Sequence, residues 1–231
     1  KAVGRAIAKS GVARDKLFVS TKLWPSVYEA GDAAIEGTLN RLGLDYVDML
    51  ILHQPVGNYL AAWKTMEKAY KEGKVRALGL SNFPQGKIAE VIDHAEIKPQ
   101  LVTVECHPYF AQSDLREYLS QYGIVIEAWY PLGHGDKGLQ EEPVFTKLAE
   151  KYGKTPAQVI LRWHVQMGTS IIPGSKNPAH IADNADIFDF ELTDEEMAEV
   201  AKLDGTKKYY EATEEALAGY LAIKPDFDAQ E

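Results

Sequence analysis

Six apolar runs in this chain each stop abruptly at a polar or aromatic side chain, and a helical pattern separates each run from the next. Leu17-Phe-Val-Ser-Thr21 runs into Lys22, and Val47-Asp-Met-Leu-Ile-Leu52 into His53. Val75–Leu80 ends at Ser81-Asn82, and Leu101–Val104 at Glu105-Cys-His107. Ile124–Ala128 ends at Trp129, and Thr169–Ile172 at Pro173-Gly-Ser-Lys176. The runs are too short for membrane spans and rich in Val, Ile and Leu, so they read as strands buried on both faces. Between them, apolar residues at helical spacing predict helices over 1–10, 27–42, 60–73, 85–95 and 113–122, then 143–153, 155–168, 178–185 and 193–203. Residues 133–142 read as a Gly-rich polar loop, and the tail from 205 shows no period. Thr155-Pro156 and Thr193-Asp-Glu-Glu196 are helix-start signals.

Strand and helix alternate every ~25–35 residues, the spacing of successive βα units. Such alternation builds a parallel sheet covered by helices. No Gly-x-Gly-x-x-Gly follows any run, which argues against a classical dinucleotide fold. The polar candidates all sit where strands end, and in a (β/α)8 TIM barrel those ends make one face that holds the active site. The expected architecture is therefore an α/β, (β/α)8 barrel in a single domain, residues 1–231, with the tail 205–231 near the substrate pocket.

Charge and composition narrow the partners. A net charge of −9 and a pI near 5.2 argue against nucleic acid and against an anionic membrane surface. No apolar run approaches the ~20 residues of a membrane span, and the first residues carry no signal core. The single cysteine, Cys106, fits a reducing compartment, so a cytoplasmic protein is expected.

Lys22 and His53 end two apolar runs at equivalent positions, so their side chains can converge on one pocket. There a lysine shifts a neighbour's pKa by its charge, and a histidine donates to a carbonyl oxygen. The plain alternatives are a snorkelling lysine and a satisfied core histidine. Ser81-Asn82 and Trp129 suit a flat polar aromatic ligand, by hydrogen bonds to an amide and by ring stacking. Ser81-Asn82 could instead cap the next helix. Ser175-Lys176-Asn177, followed by a helix start, is a candidate phosphate seat. Glu105 and His107, without further His or Cys pairs, are weak evidence for metal, and none is expected. His164 lies inside a helix and reads as structural.

Phe18-Val-Ser-Thr-Lys-Leu-Trp24, Leu52-His-Gln-Pro55, Gly79-Leu-Ser-Asn-Phe83, Val104-Glu-Cys-His-Pro-Tyr109, Trp129-Tyr-Pro-Leu-Gly133 and Ile172-Pro-Gly-Ser175 resemble, in order and spacing, the motifs of the aldo-keto reductases. The likeness covers essentially the whole chain and is nearest to microbial aldose- and diketogluconate-reductase-like members. It implies a (β/α)8 barrel and NADPH-dependent reduction of a small-molecule aldehyde or ketone by a monomer. In that family a tyrosine is the general acid, a lysine paired with an aspartate lowers its pKa, and a histidine orients the carbonyl. Lys22 matches the lysine, His53 the histidine and Trp24 a substrate-pocket aromatic. Ser81 and Asn82 match the pair on the nicotinamide carboxamide, and Trp129 takes the place of the aromatic that stacks on the nicotinamide. Leu132 and Asp136 match the loop over the pyrophosphate. Ser175, Lys176, Asn177, His180, Asp183 and Asn184 fall on the adenosine side.

The sequence departs from the family pattern at three places. Thr103 replaces a usual Gln of the carboxamide grip, Gly174 a usual Lys on the 2′-phosphate, and His180 a usual Arg. The losses at 174 and 180 predict relaxed cofactor choice, with NADH accepted beside NADPH. The family's aspartate and tyrosine lie upstream of the helix in which the sequence begins, so two further βα units, about 45–55 residues, are expected before Lys1. Two other classes are compatible with the same residues. One is a catalytically inactive cofactor-binding or scaffold protein. The other is a barrel aldolase using Lys22 as a Schiff base.

Overall fold

Each apolar run becomes a strand, and the strands whose register is defined are parallel to their neighbours. The structure is a computed structural model and describes residues 1–229. In chain order its elements are α1 (Ala2–Lys9), β1 (Ser20–Leu23), α2 (Asp32–Leu42), β2 (Met49–Leu52), α3 (Tyr59–Lys71), β3 (Leu78–Ser81), α4 (Gln85–His94) and β4 (Leu101–Glu105). There follow α5 (Ser113–Ser120), β5 (Val125–Trp129), α6 (Lys137–Glu141), α7 (Pro143–Tyr152), α8 (Pro156–Gln166), β6 (Ser170–Ile171), α9 (Pro178–Ala185), α10 (Asp194–Ala201) and α11 (Glu214–Ala222). The chain divides into two compact units, residues 1–102 with 212–231 and residues 103–211. Among the described residues no helix is long and apolar enough to cross a membrane.

In the first unit β1 pairs with β2 and β2 with β3, setting Lys22 opposite Ile51 and Ile51 opposite Gly79. All four residues of β2 are buried, as a strand with a neighbour on each side requires. Gly79 is needed for this packing. A Cβ there would lie 3.1 Å from Ile51 Cγ1 and 3.2 Å from the Leu101 carbonyl oxygen. Trp63 and Met66 of α3 are fully buried in the same unit. At the start of β1, Asp48 accepts from the Val19 N–H at 2.9 Å and pairs with Arg14 and Arg76 at 2.8 and 3.1 Å. Burial works to raise the Asp48 carboxyl, but these three donors hold it below the usual carboxylate range.

In the second unit β5 and β6 pair with Glu127 opposite Ser170. Its core gathers Leu139, Phe145, Val159, Ile160 and Trp163 with Tyr109 and Val200. Thr155 caps α8 in a box with Gln158, and Thr193 caps α10 in a box with Glu196.

Four expectations need correction. The run at 17–21 is not a strand buried on both faces. β1 starts at Ser20, Phe18 before it is 71% exposed, and only Leu23 within it is fully buried. Nor is β6 buried on both faces, since its two residues are half-buried like much of β1. The helix predicted over 27–42 is two pieces. Pro25–Ala30 is a 3-10 helix, and Gly31 at φ 58°, ψ −139° breaks the chain before α2, in a conformation open essentially to glycine alone. The Gly-rich loop 133–142 holds α6, anchored by the fully buried Leu139, and the patternless tail holds α11, capped by Thr213.

Candidate active site

In the first unit Lys22, His53 and Trp24 come together. Lys22 is the third residue of β1 rather than its exit, because the strand runs two residues further than the apolar run suggested. His53 follows β2 directly, and its backbone N–H donates to the Leu23 carbonyl at 3.0 Å. Trp24 stands edge-on to the His53 ring at 5.0 Å. Its indole N–H donates to the Ile223 carbonyl at 2.9 Å, and Tyr220 of α11 meets it edge-on at 5.8 Å. A cavity of about 190 Å³ opens here, lined by Thr21, Lys22, Trp24, Arg41 and Phe227 among others. The tail thus reaches the pocket that Lys22 lines.

Burial, and then the charge of Lys22, depress the His53 imidazole to about 4. At neutral pH His53 is therefore an uncharged ring beside a cation. Such a ring keeps one N–H to donate. Tyr28 does not serve as an acid here. Its hydroxyl is buried, donates to the Gln54 carbonyl at 2.9 Å and accepts from the Gln54 N–H at 3.1 Å, and burial pushes its pKa well up. Ser81, 2% exposed, closes β3, and Asn82 follows in the left-handed region at φ 62°. The next helix is capped by the backbone of Pro84 with no side-chain bond, so Ser81-Asn82 is not its cap.

In the second unit Trp129 closes β5, half-buried, with Tyr130 stacked on it at 3.9 Å. Asp136 caps α6 by accepting from the Gly138 N–H at 3.0 Å, and it also takes Lys207 and, at 2.9 Å, the Tyr209 hydroxyl. Lys207 first, then Tyr209 and that N–H, hold the Asp136 carboxyl at about 2. Leu132 packs against the unit's apolar core. Thr103 is buried and donates to Glu127 at 2.9 Å, so its hydroxyl is turned to that carboxylate. Ser175 accepts from the Asn177 N–H at 3.1 Å, and Asn177 caps α9 through the Ala179 N–H at 3.0 Å. Lys176 is exposed before α9, and His180, Asp183 and Asn184 share one face of that helix by their i, i+3, i+4 spacing. His164 is fully buried, donates to the Pro131 carbonyl at 3.1 Å, and is pushed down to about 3 by burial.

The model of the aldo/keto reductase family matches residues 1–205 of the chain. The chain belongs to the aldo/keto reductase family. It is 46% identical over 205 residues to the glyoxal reductase of Bacillus subtilis, covering 87% of this chain and 74% of that one. It is 39% identical over 209 residues to the methylglyoxal reductase DkgA of Escherichia coli K12, covering 89% and 76%. The crystal structure of a Bombyx mori aldo-keto reductase in complex with NADP superimposes with a TM-score of 0.82 at 33% identity, over 89% of this chain and 75% of that one. The fold class read from the sequence holds. The chain carries the βα repeat of the family's (β/α)8 barrel, with six strands among the described residues. As a family member it is an oxidoreductase. The sequence reading missed Tyr209 and Lys207 on Asp136, and it treated Glu105 and His107 only as a weak metal pair. A glutamate ending an otherwise uncharged, mostly apolar strand was the available signal, since a buried carboxylate needs partners.

Proposed function

We propose that the protein reduces small 2-oxoaldehydes, compounds of the glyoxal and methylglyoxal class, to hydroxycarbonyl products with NADPH as cofactor. The observation that carries this reading is His53, held neutral beside the Lys22 cation and against the Trp24 ring. Reducing a carbonyl puts negative charge on its oxygen, and a fixed donor with a nearby cation in a half-buried pocket stabilises that charge. His53 donates its N–H to the carbonyl oxygen and so aims the carbonyl carbon. Lys22 holds positive charge beside the developing alkoxide. Trp24, pinned through its indole N–H, makes one wall of the pocket and excludes water. Trp24 gives the site an aromatic wall, and the names of the two bacterial relatives favour a two- or three-carbon substrate.

Each unit carries groups of the kinds that hold a nicotinamide dinucleotide. Ser81 and Asn82 offer hydroxyl and amide groups to a carboxamide, and Trp129 offers an indole face. Leu132 and Asp136 belong to the loop assigned to the pyrophosphate. Ser175, Lys176 and Asn177 precede the N–H end of α9, where phosphate is favoured, and His180, Asp183 and Asn184 follow on one helix face. A side chain at Gly174 would meet nothing within 4 Å, which leaves room for a phosphate to approach. When bound, the cofactor would supply the hydride, and the tyrosine that the family resemblance gives as general acid, its pKa lowered by Lys22, would supply the proton that completes the alcohol. A cytoplasmic location suits the reading, since Cys106 is a free, buried thiol pushed up to about 12 by burial.

The test is Lys22→Met in the full protein, assayed by NADPH absorbance with methylglyoxal. Turnover should fall ~10²–10⁴-fold, the usual contribution of such proton and charge chemistry. NADPH affinity should stay within a few-fold, because Lys22 serves the carbonyl rather than the cofactor. Near-normal turnover removes Lys22 from the mechanism. A borohydride-trapped substrate adduct on Lys22 would move the protein to Schiff-base chemistry.

A further inference from the structure

Glu105 is the last residue of β4 and is 4% exposed. A carboxylate in such a place is costly unless donors surround it. Its donors come from two places. Oε1 accepts from His107 Nε2 at 2.9 Å and from the Tyr209 N–H at 2.6 Å, and Oε2 accepts from the Tyr210 N–H at 3.0 Å. Burial works to raise this carboxyl, and the three donors outweigh it and hold Glu105 ionised. Tyr209 and Tyr210 lie in a segment with no helix or strand of its own, so the carboxylate does there what a sheet would do elsewhere.

The pinned segment has a consequence for Trp129. Tyr210 stands edge-on to the indole at 5.2 Å and 84°. Tyr130 covers one face of the indole at 3.9 Å and 20°, and to do so it adopts φ 58°. A non-glycine residue in that region is strained, and such strain is kept where it positions something. Trp129 is thus fixed by one ring on its face and another on its edge, and the second ring is placed by the backbone that Glu105 grips.

We propose that Glu105 is a positioning residue, which sets the orientation of the Trp129 indole by clamping the backbone of Tyr209 and Tyr210. The inference rests on the reading above that Trp129 stacks on the nicotinamide, and it adds the device that holds the ring in place. An aromatic platform that is fixed before its ligand arrives binds better than one that must be ordered.

The experiment labels the full protein with 5-fluorotryptophan and follows fluorine NMR, with the Trp129 resonance assigned by its loss in Trp129→Phe. Two variants are compared. Glu105→Gln keeps the shape but turns an NH2 towards one of the two backbone N–H groups. Tyr210→Leu removes the ring and leaves the carboxylate clamp. In both, the Trp129 resonance should shift or broaden while those of the other three tryptophans stay, and NADPH binding, titrated by fluorescence, should weaken at least tenfold. If Glu105→Gln does not fold, Glu105→Asp, which draws the carboxylate back from the two backbone N–H groups and leaves the Tyr210 ring in place, decides instead. A moved resonance with NADPH affinity within twofold upholds the positioning and instead removes Trp129 from the cofactor site. An unmoved Trp129 resonance overturns the proposal, whatever happens to the affinity.

Discussion

Gly174 and His180 carry the question of which nicotinamide cofactor the enzyme prefers, because they stand where the family resemblance puts a lysine and an arginine. A charged hydrogen bond to a phosphate contributes roughly 1.5–3 kcal/mol, or about ten- to a hundredfold in affinity. The absence of both contacts therefore predicts a modest preference for NADPH over NADH. Lys176 is exposed two residues on and supplies part of the missing charge. Position 174 accepts a side chain. A Cβ there meets nothing within 4 Å, and its backbone is not among the positive-φ glycines. Gly174→Lys should accordingly tighten NADPH binding by tenfold or more and leave NADH within twofold. Fluorescence titration with each cofactor measures both constants. An equal gain for the two would mean that the new lysine serves something other than the 2′-phosphate.

At the level of elements, close backbone approach separates glycines that look alike in sequence. Gly4 in α1 lies against the end of α2, where an added Cβ would sit 1.9 Å from the Leu42 carbonyl oxygen. Gly86 in α4 has open space around it. Gly4→Ala should therefore cost about 1–3 kcal/mol through overpacking. Gly86→Ala should stabilise by about 0.4–1 kcal/mol by restricting the unfolded chain. Urea unfolding of both variants tests the pair, and a neutral Gly4→Ala would mean that α1 does not dock on α2. The sequence carried the βα repeat, the boxes at Thr155 and Thr193, and the grouping of Lys22, His53 and Trp24. These follow from local period and spacing. It did not carry the 3-10 turn before Gly31, because Val27–Leu42 has helical spacing throughout and only the backbone at Gly31 interrupts it. α11 was hidden because Ala216-Leu-Ala-Gly-Tyr-Leu-Ala222 is apolar or small all round and has no face. The clamp from Glu105 to Tyr209 and Tyr210 spans 104 and 105 residues of sequence, and no local pattern reports a contact of that length.

For the whole molecule, two histidines set the response to acid. Burial keeps His164 neutral down to about 3, and burial with the charge of Lys22 keeps His53 neutral down to about 4. In the unfolded chain both take up a proton near pH 6.5. Below that pH the unfolded state binds two protons that the fold refuses, so stability falls as pH falls. Each such proton lowers the folding constant about tenfold per pH unit. Because pH 6 is still close to the unfolded value, the two together should remove roughly 50-fold between pH 6 and 5, or about 2.4 kcal/mol. The lowered carboxyls of Asp48, Glu105 and Asp136 act at more acid pH. Their contribution is complete above the unfolded carboxylate range near pH 4 and is lost as pH falls through their folded values. The acid limb therefore starts with the histidines and steepens with the carboxyls. His164→Gln isolates the first part, since the Gln amide can donate to the Pro131 carbonyl as the imidazole does at 3.1 Å, but cannot titrate. Urea unfolding at pH 7, 6 and 5 should give the variant about half the slope of the unaltered chain between pH 6 and 5. An unchanged slope would mean that His164 takes up its proton in the folded state, and that the acid sensitivity arises from other groups.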